Sequence, residues 1–277
     1  MDILNLNHTC SEINLPLCKV LKDTPCGYTG RSLPVFGTNL NTFFTIIILL
    51  AAMFCTFRMI KGANKKYSAV GRKEMVTFFY MYLATISLET VLVSGVLKKN
   101  VLVYLTSLQL SFANSTVFCL FIGGLTSTSL VDIGLLKSIL IVRVVTFVYF
   151  VTSIVVIYMF LMAKNSFIIC FFTFILNLGL AFLYLILQVL KLIRLDAEVW
   201  AYGTLIISAL FFMSGILPLF FGSEYIALLS DRYLDGLFFF HLFIFCGIIM
   251  IHKYWLSVCE NEAECISLIV KGEIKNV

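Results

Sequence analysis

Charge is scarce in this chain. Of its 277 residues only 13% are Asp, Glu, Lys or Arg, against about 25% in an ordinary soluble domain. Four prolines leave long helices unbroken. No His-Glu-x-x-His, Gly-x-Ser-x-Gly or Gly-x-x-x-x-Gly-Lys pattern occurs, and no cysteines and histidines have zinc-ligand spacing. We therefore expect no catalytic residue, no metal and no cofactor. No connecting stretch is long enough for a soluble transferase or nucleotide-binding domain. No signal peptide of the basic-then-apolar kind opens the chain.

Apolar residues take the place of charge. The chain is 61% hydrophobic, with 27 phenylalanines and a mean hydropathy of +1.02. About 20 apolar residues at 1.5 Å rise cross a hydrocarbon core of about 30 Å. Seven runs qualify, at residues 40–59, 75–97, 101–125, 138–162, 167–190, 199–221 and 236–255. The expected fold is all-α: a polytopic bundle of seven transmembrane helices. The expected division is a tail at 1–37, a membrane domain at 38–257 and a second tail at 258–277.

Orientation follows from the basic residues. Arg58, Lys61, Lys65, Lys66, Arg72 and Lys73 flank the first connection. The positive-inside rule makes that connection cytosolic, the N-terminus lumenal and the C-terminus cytosolic. The net charge of +5 resides in such short loops, so no nucleic-acid partner is expected. Membrane lipid is the expected surroundings.

The first tail carries Cys10, Cys18 and Cys26, and the sequon Asn7-His8-Thr9. Both features suit an oxidising lumen. A Cys10–Cys18 bridge would close a small loop around Leu15-Pro16-Leu17, with Asn7 as the glycosylation candidate. The competing reading is three free thiols in a cytosolic tail. A second sequon, Asn114-Ser115-Thr116, lies inside an apolar run and reads as a chance match.

Ionisable groups inside spans are costly and are candidates for function. Glu89 and Gln109 each lie about eight residues from the lumenal ends of their spans, and His241 about six, which is about 9–12 Å deep. Matched depth predicts one buried network of Glu89, Gln109 and His241. Arg143 lies near the opposite end of its span and reads as snorkelling to the cytosolic surface. Interhelical hydrogen bonding is the bland reading of the network, and a proton or ion pathway the sharp one.

The stretch Tyr233-Leu234-Asp235-Gly236 opens the seventh run. Asp235 suits a helix N-cap, Gly236 admits a close neighbour, and Tyr233 suits a membrane interface. The triplet Asp231-Arg232-Tyr233 matches a receptor motif but falls at the wrong span and reads as coincidence.

Several stretches together resemble the fungal chitin synthase export chaperone family. They are Cys10 to Cys18, Lys66 to Glu74, Gln109, Lys137 to Arg143, Gly203 to Gly215, and Tyr233 to Phe239. The chain departs from the family pattern in lacking lumenal cysteines near Ser94 and Ala227, and in placing an acid at Glu89 rather than near Val93. The resemblance implies a non-catalytic seven-span protein of the endoplasmic reticulum membrane. It would bind chitin synthase, a membrane glycosyltransferase, and help it fold and leave for the cell surface. Vesicle-coat machinery is a further partner through the cytosolic tail, where Glu260, Glu262 and Glu264 stand. The alternative is a seven-helix receptor or a small transporter, although no two similar halves with broken helices are visible.

Overall fold

The computed structural model describes residues 15–21, 33–35, 38–40, 42–66, 69, 71–95, 99–127, 135–231 and 233–275. Seven helices within them are long and apolar enough to cross a membrane. The first span is Phe43–Lys65, the second Arg72–Ser94, the third Lys99–Ser127 and the fourth Leu135–Met162. The fifth comprises Ser166–Cys170, a π-helical turn at Phe171–Ile175, and Leu176–Arg194. The sixth is Val199–Phe220 and the seventh Gly236–Lys275. Because the connections are short, successive spans run in opposite directions. One end of the bundle carries Thr42, Gly95, Lys164 and Asp235. The other carries the basic residues from Arg58 to Lys73.

Three features go beyond the sequence expectation. A short helix, Ser223–Leu229, bridges the sixth and seventh spans. The last helix does not stop near Trp255 but continues to Lys275. The first tail contributes a helix, Pro16–Leu21, and two three-residue strands, Leu33–Val35 and Thr38–Leu40, paired antiparallel with Val35 opposite Thr38. Leu17, Cys18, Val20 and Leu21 of that tail helix are buried against Leu110, Ile157, Leu161 and Ile169. The tail is thus docked on the bundle.

Packing is uneven. The seventh span packs most extensively on the sixth, the third lies between the second and fourth, and the second packs on the first. The fifth packs mainly on the third and barely touches the sixth. The second and third spans are 44% buried over their most apolar stretches, whereas the fourth and fifth are 17% buried. Spans two and three are therefore the axis of the bundle, and four and five its periphery. Their outward faces, Leu140, Phe147, Val155 and Met159 on one and Phe182, Ile186 and Ile193 on the other, stay exposed as lipid-facing surface.

Candidate functional site: the Asp235 end of the bundle

The seventh span begins where an acid can satisfy its first turn. The first N–H groups of a helix have no partner within it. Asp235 Oδ1 accepts from the Phe238 backbone N–H at 2.9 Å, the N3 position of an N-cap. The same oxygen accepts from the Thr45 hydroxyl of the first span at 3.3 Å. One carboxylate oxygen therefore caps the last span and ties it to the first. Asp235 is only 3% exposed. Its second oxygen, Oδ2, is buried without a hydrogen-bond partner. Burial pushes the carboxyl above the ordinary carboxylate range, against the opposing pull of the Phe238 N–H, the Thr45 hydroxyl and His241.

At Gly236 the start of the seventh span lies tight against the sixth. A Cβ there would lie 2.5 Å from the Pro218 carbonyl oxygen and 3.0 Å from Ser223 Cβ. No side chain fits without moving backbone. Upstream, the Ser230 hydroxyl accepts from the Leu234 N–H at 3.1 Å. It lies 2.9 Å from the Leu234 carbonyl and 2.7 Å from that of Ile226, either of which can accept its single proton. That clasp fixes the chain just before the cap. Tyr233 is turned outward: it is 44% exposed, and its ring meets Phe44 edge-on at 6.4 Å. Tyr225, Leu228 and Leu229 of the bridging helix are more exposed still. The stretch thus has a buried half that locks three elements together and an apolar outer half.

A second link lies nearly two turns deeper. His241 Nε2 of the seventh span is 3.5 Å from Glu89 Oε1 of the second. The approach satisfies an ion-pair distance but not hydrogen-bond geometry, since the same nitrogen has no hydrogen-bond partner. We treat it as a loose electrostatic contact. Gln109 is buried in the third span and bonds neither residue. Depth brought three groups to one level, but only two share a direction around the bundle. Arg143 stands on the exposed side of the fourth span, as a snorkelling cation would.

Other polar links hold the rest of the bundle. Asn114 is fully buried and takes a hydrogen bond from Asn177 Nδ2 at 2.7 Å while donating to Ser153 at 3.4 Å. It thereby joins the third, fourth and fifth spans, in keeping with a sequon that is only a chance match. At the opposite end Tyr254 donates to Gln188 at 2.8 Å, and Ser138 donates to Glu74 at 3.1 Å. Sequence reasoning missed these. For Asn114 the signal was a serine and asparagine stripe, Ser107, Ser111 and Asn114, at helical spacing on one face of the third span; the other two pairs had none.

Among the described residues, no group of three or more His, Cys, Asp or Glu could hold a metal ion. Cys18 is disulfide-bonded. Its proposed partner Cys10 and the glycosylation candidate Asn7 lie outside the described residues.

A family model described as chitin synthase export chaperone matches residues 2–267. The chain belongs to the chitin synthase export chaperone family. A chitin synthase export chaperone of Gibberella zeae is 29% identical over 274 residues, covering 92% of this chain and 81% of that one. One from Coccidioides immitis is 28% identical over 280 residues, covering 95% and 85%, and one from Neurospora crassa 28% over 272, covering 92% and 76%. No solved structure matches. For this member of the chitin synthase export chaperone family, the match takes in the Asp235 cap, the Gly236 approach and the Glu89–His241 contact alike.

Proposed function

We propose that this protein is a non-catalytic membrane chaperone that binds chitin synthase and promotes its folding and export from the endoplasmic reticulum to the cell surface. The observation that carries this reading is the family match over nearly the whole chain. Its relatives are named for that role. The protein spans the membrane seven times, with its N-terminus lumenal and its C-terminus cytosolic; the basic run from Arg58 to Lys73 supports that orientation.

The Asp235 end supplies a physical basis. A chaperone of membrane helices covers a client's exposed polar or small-residue faces until the client is packed. Tyr233, with Tyr225, Leu228 and Leu229, offers an apolar surface at the lumenal rim. The buried Asp235 and Gly236 hold that surface in one conformation. The segment beyond Cys259, with Glu260, Glu262 and Glu264, is the part available to vesicle-coat machinery. The test is a mild-detergent pull-down of the tagged protein. Chitin synthase should be the main partner, and recovery of an unrelated receptor complex or of no membrane glycosyltransferase overturns the reading.

A further inference from the structure

At the basic end of the bundle the second, third, fifth and seventh spans leave a cavity of about 50 Å³. We propose that it holds the headgroup of a zwitterionic phospholipid, with the ammonium inside the cavity and the phosphate at Lys191. The walls carry the argument. Phe78, Tyr184, Tyr254 and Trp255 line the cavity, together with Glu74 and Gln188. All four aromatic side chains are buried. Aromatic faces attract cations through their ring quadrupoles, most strongly for alkylated ammonium groups freed of water. Glu74 adds a carboxylate to the same wall.

The cavity is built rather than left over. A Cβ on Gly124 of the third span would lie 2.8 Å from Gln188 Nε2 and 2.9 Å from the Tyr184 ring. Glycine there lets both side chains stand at the wall, where Tyr254 donates to Gln188. A water needs roughly 10–15 Å³ of such space, so the volume takes a group of about four or five heavy atoms. That fits a methylated or primary ammonium and excludes a sugar ring or a nucleotide. Water is the weaker occupant, since it needs two to four polar partners and the lining is mostly apolar. Charge selects further. Glu74 disfavours a purely anionic lipid, and Lys191, which lines the same cavity, makes a simple cation a weaker competitor than a zwitterion. A zwitterion meets both, because a lysine ammonium is a point-charge partner for phosphate. The source is lipid because membrane-spanning helices supply all the named walls.

The protein carries its own reporter. It has two tryptophans, and Trp200 is 79% exposed whereas Trp255 is 6% exposed and lines the cavity. In full-length Trp200→Phe protein in a maltoside detergent, dihexanoyl phosphatidylcholine is titrated below its micelle concentration and Trp255 fluorescence is read. Dihexanoyl phosphatidylglycerol, with the same tails and an anionic headgroup, runs in parallel. The expected result is a saturable change with the choline lipid only. It should be weakened about fivefold or more by Glu74→Gln and displaced by tetramethylammonium chloride but not by matched sodium chloride. An absent or unsaturable change, an equal response to phosphatidylglycerol, or unaltered affinity in a folded Glu74→Gln protein overturns the proposal. If Glu74→Gln does not fold, the tetramethylammonium competition decides alone: displacement supports an ammonium site and indifference overturns it.

Discussion

The Thr45 hydroxyl of the first span donates to Asp235, the residue that caps the last span, across 190 residues of chain. The ends of the membrane domain are closed on each other by one carboxylate oxygen. Removing it should be felt in two places at once. Asp235→Ala should cost about 0.5–2 kcal/mol for the lost cap, near the upper end because Thr45 also loses its acceptor. Asp235→Asn keeps an acceptor oxygen and should cost less. Thermal unfolding in detergent measures both, and equal melting temperatures for the two variants would contradict this account.

Asp235 also predicts a pH dependence. Its carboxyl is raised above the ordinary 3.8 by burial. A raised acid holds its proton more tightly in the folded state than in the unfolded one. Its contribution to stability is therefore full below about pH 4 and is lost as pH rises through the folded value. Asp235→Asn removes that slope. The variant's melting temperature relative to wild type should climb from acid toward neutral pH, and a constant difference would show that the carboxyl does not titrate in this window.

Gly236 tests the close approach. Even Gly236→Ala places a carbon 2.5 Å from the Pro218 carbonyl, so the sixth and seventh spans must part. We expect a loss of about 1–3 kcal/mol and lower abundance, with Gly236→Leu worse. Wild-type stability for Gly236→Leu would mean the spans do not meet as described.

The Glu89–His241 contact predicts an order among substitutions. Glu89→Gln keeps a polar partner for His241, whereas Glu89→Leu leaves it buried alone. Interhelical polar contacts in membranes contribute about 0.6–2 kcal/mol, so Leu should melt lower than Gln. Gln109→Leu should leave the pair intact. If Glu89→Leu, Glu89→Gln and wild type melt together, Glu89 holds nothing.

Topology and tail chemistry have direct assays. Asn7→Gln should remove an endoglycosidase-sensitive mass shift in a host that glycosylates the protein, and the tail should resist protease in sealed microsomes. Cys10 and Cys18 should resist alkylation under non-reducing conditions. Cleavage of the tail before permeabilisation overturns the orientation, and free labelling of both thiols overturns the pairing.

Seven spans were legible because membrane crossing demands length and apolarity, and both are written locally. The Asp235 cap was legible for the same reason: it joins residues three apart. What Gly236 approaches was not, since Pro218 belongs to another span and only packing brings it there. Depth could be counted along Glu89, Gln109 and His241, but direction around the bundle could not, which is why Gln109 stands apart. Asn114 was set aside as a chance sequon, although its spacing from Ser107 and Ser111 marked a polar face. The π-helical turn at Phe171–Ile175 left no trace in a predominantly apolar run.

The central claim is that the Asp235 end presents a surface that chitin synthase needs in order to leave the endoplasmic reticulum. Tyr233→Ala tests it most directly, because the ring is half-exposed and its loss should leave the buried cap and the Gly236 approach in place. In fungal cells lacking this protein, the variant and wild type are expressed to equal levels, and chitin synthase arriving at the cell surface is measured. The account predicts that Tyr233→Ala accumulates normally yet leaves the synthase in the endoplasmic reticulum, while wild type restores delivery. Normal delivery by a Tyr233→Ala protein that accumulates as wild type does would contradict it.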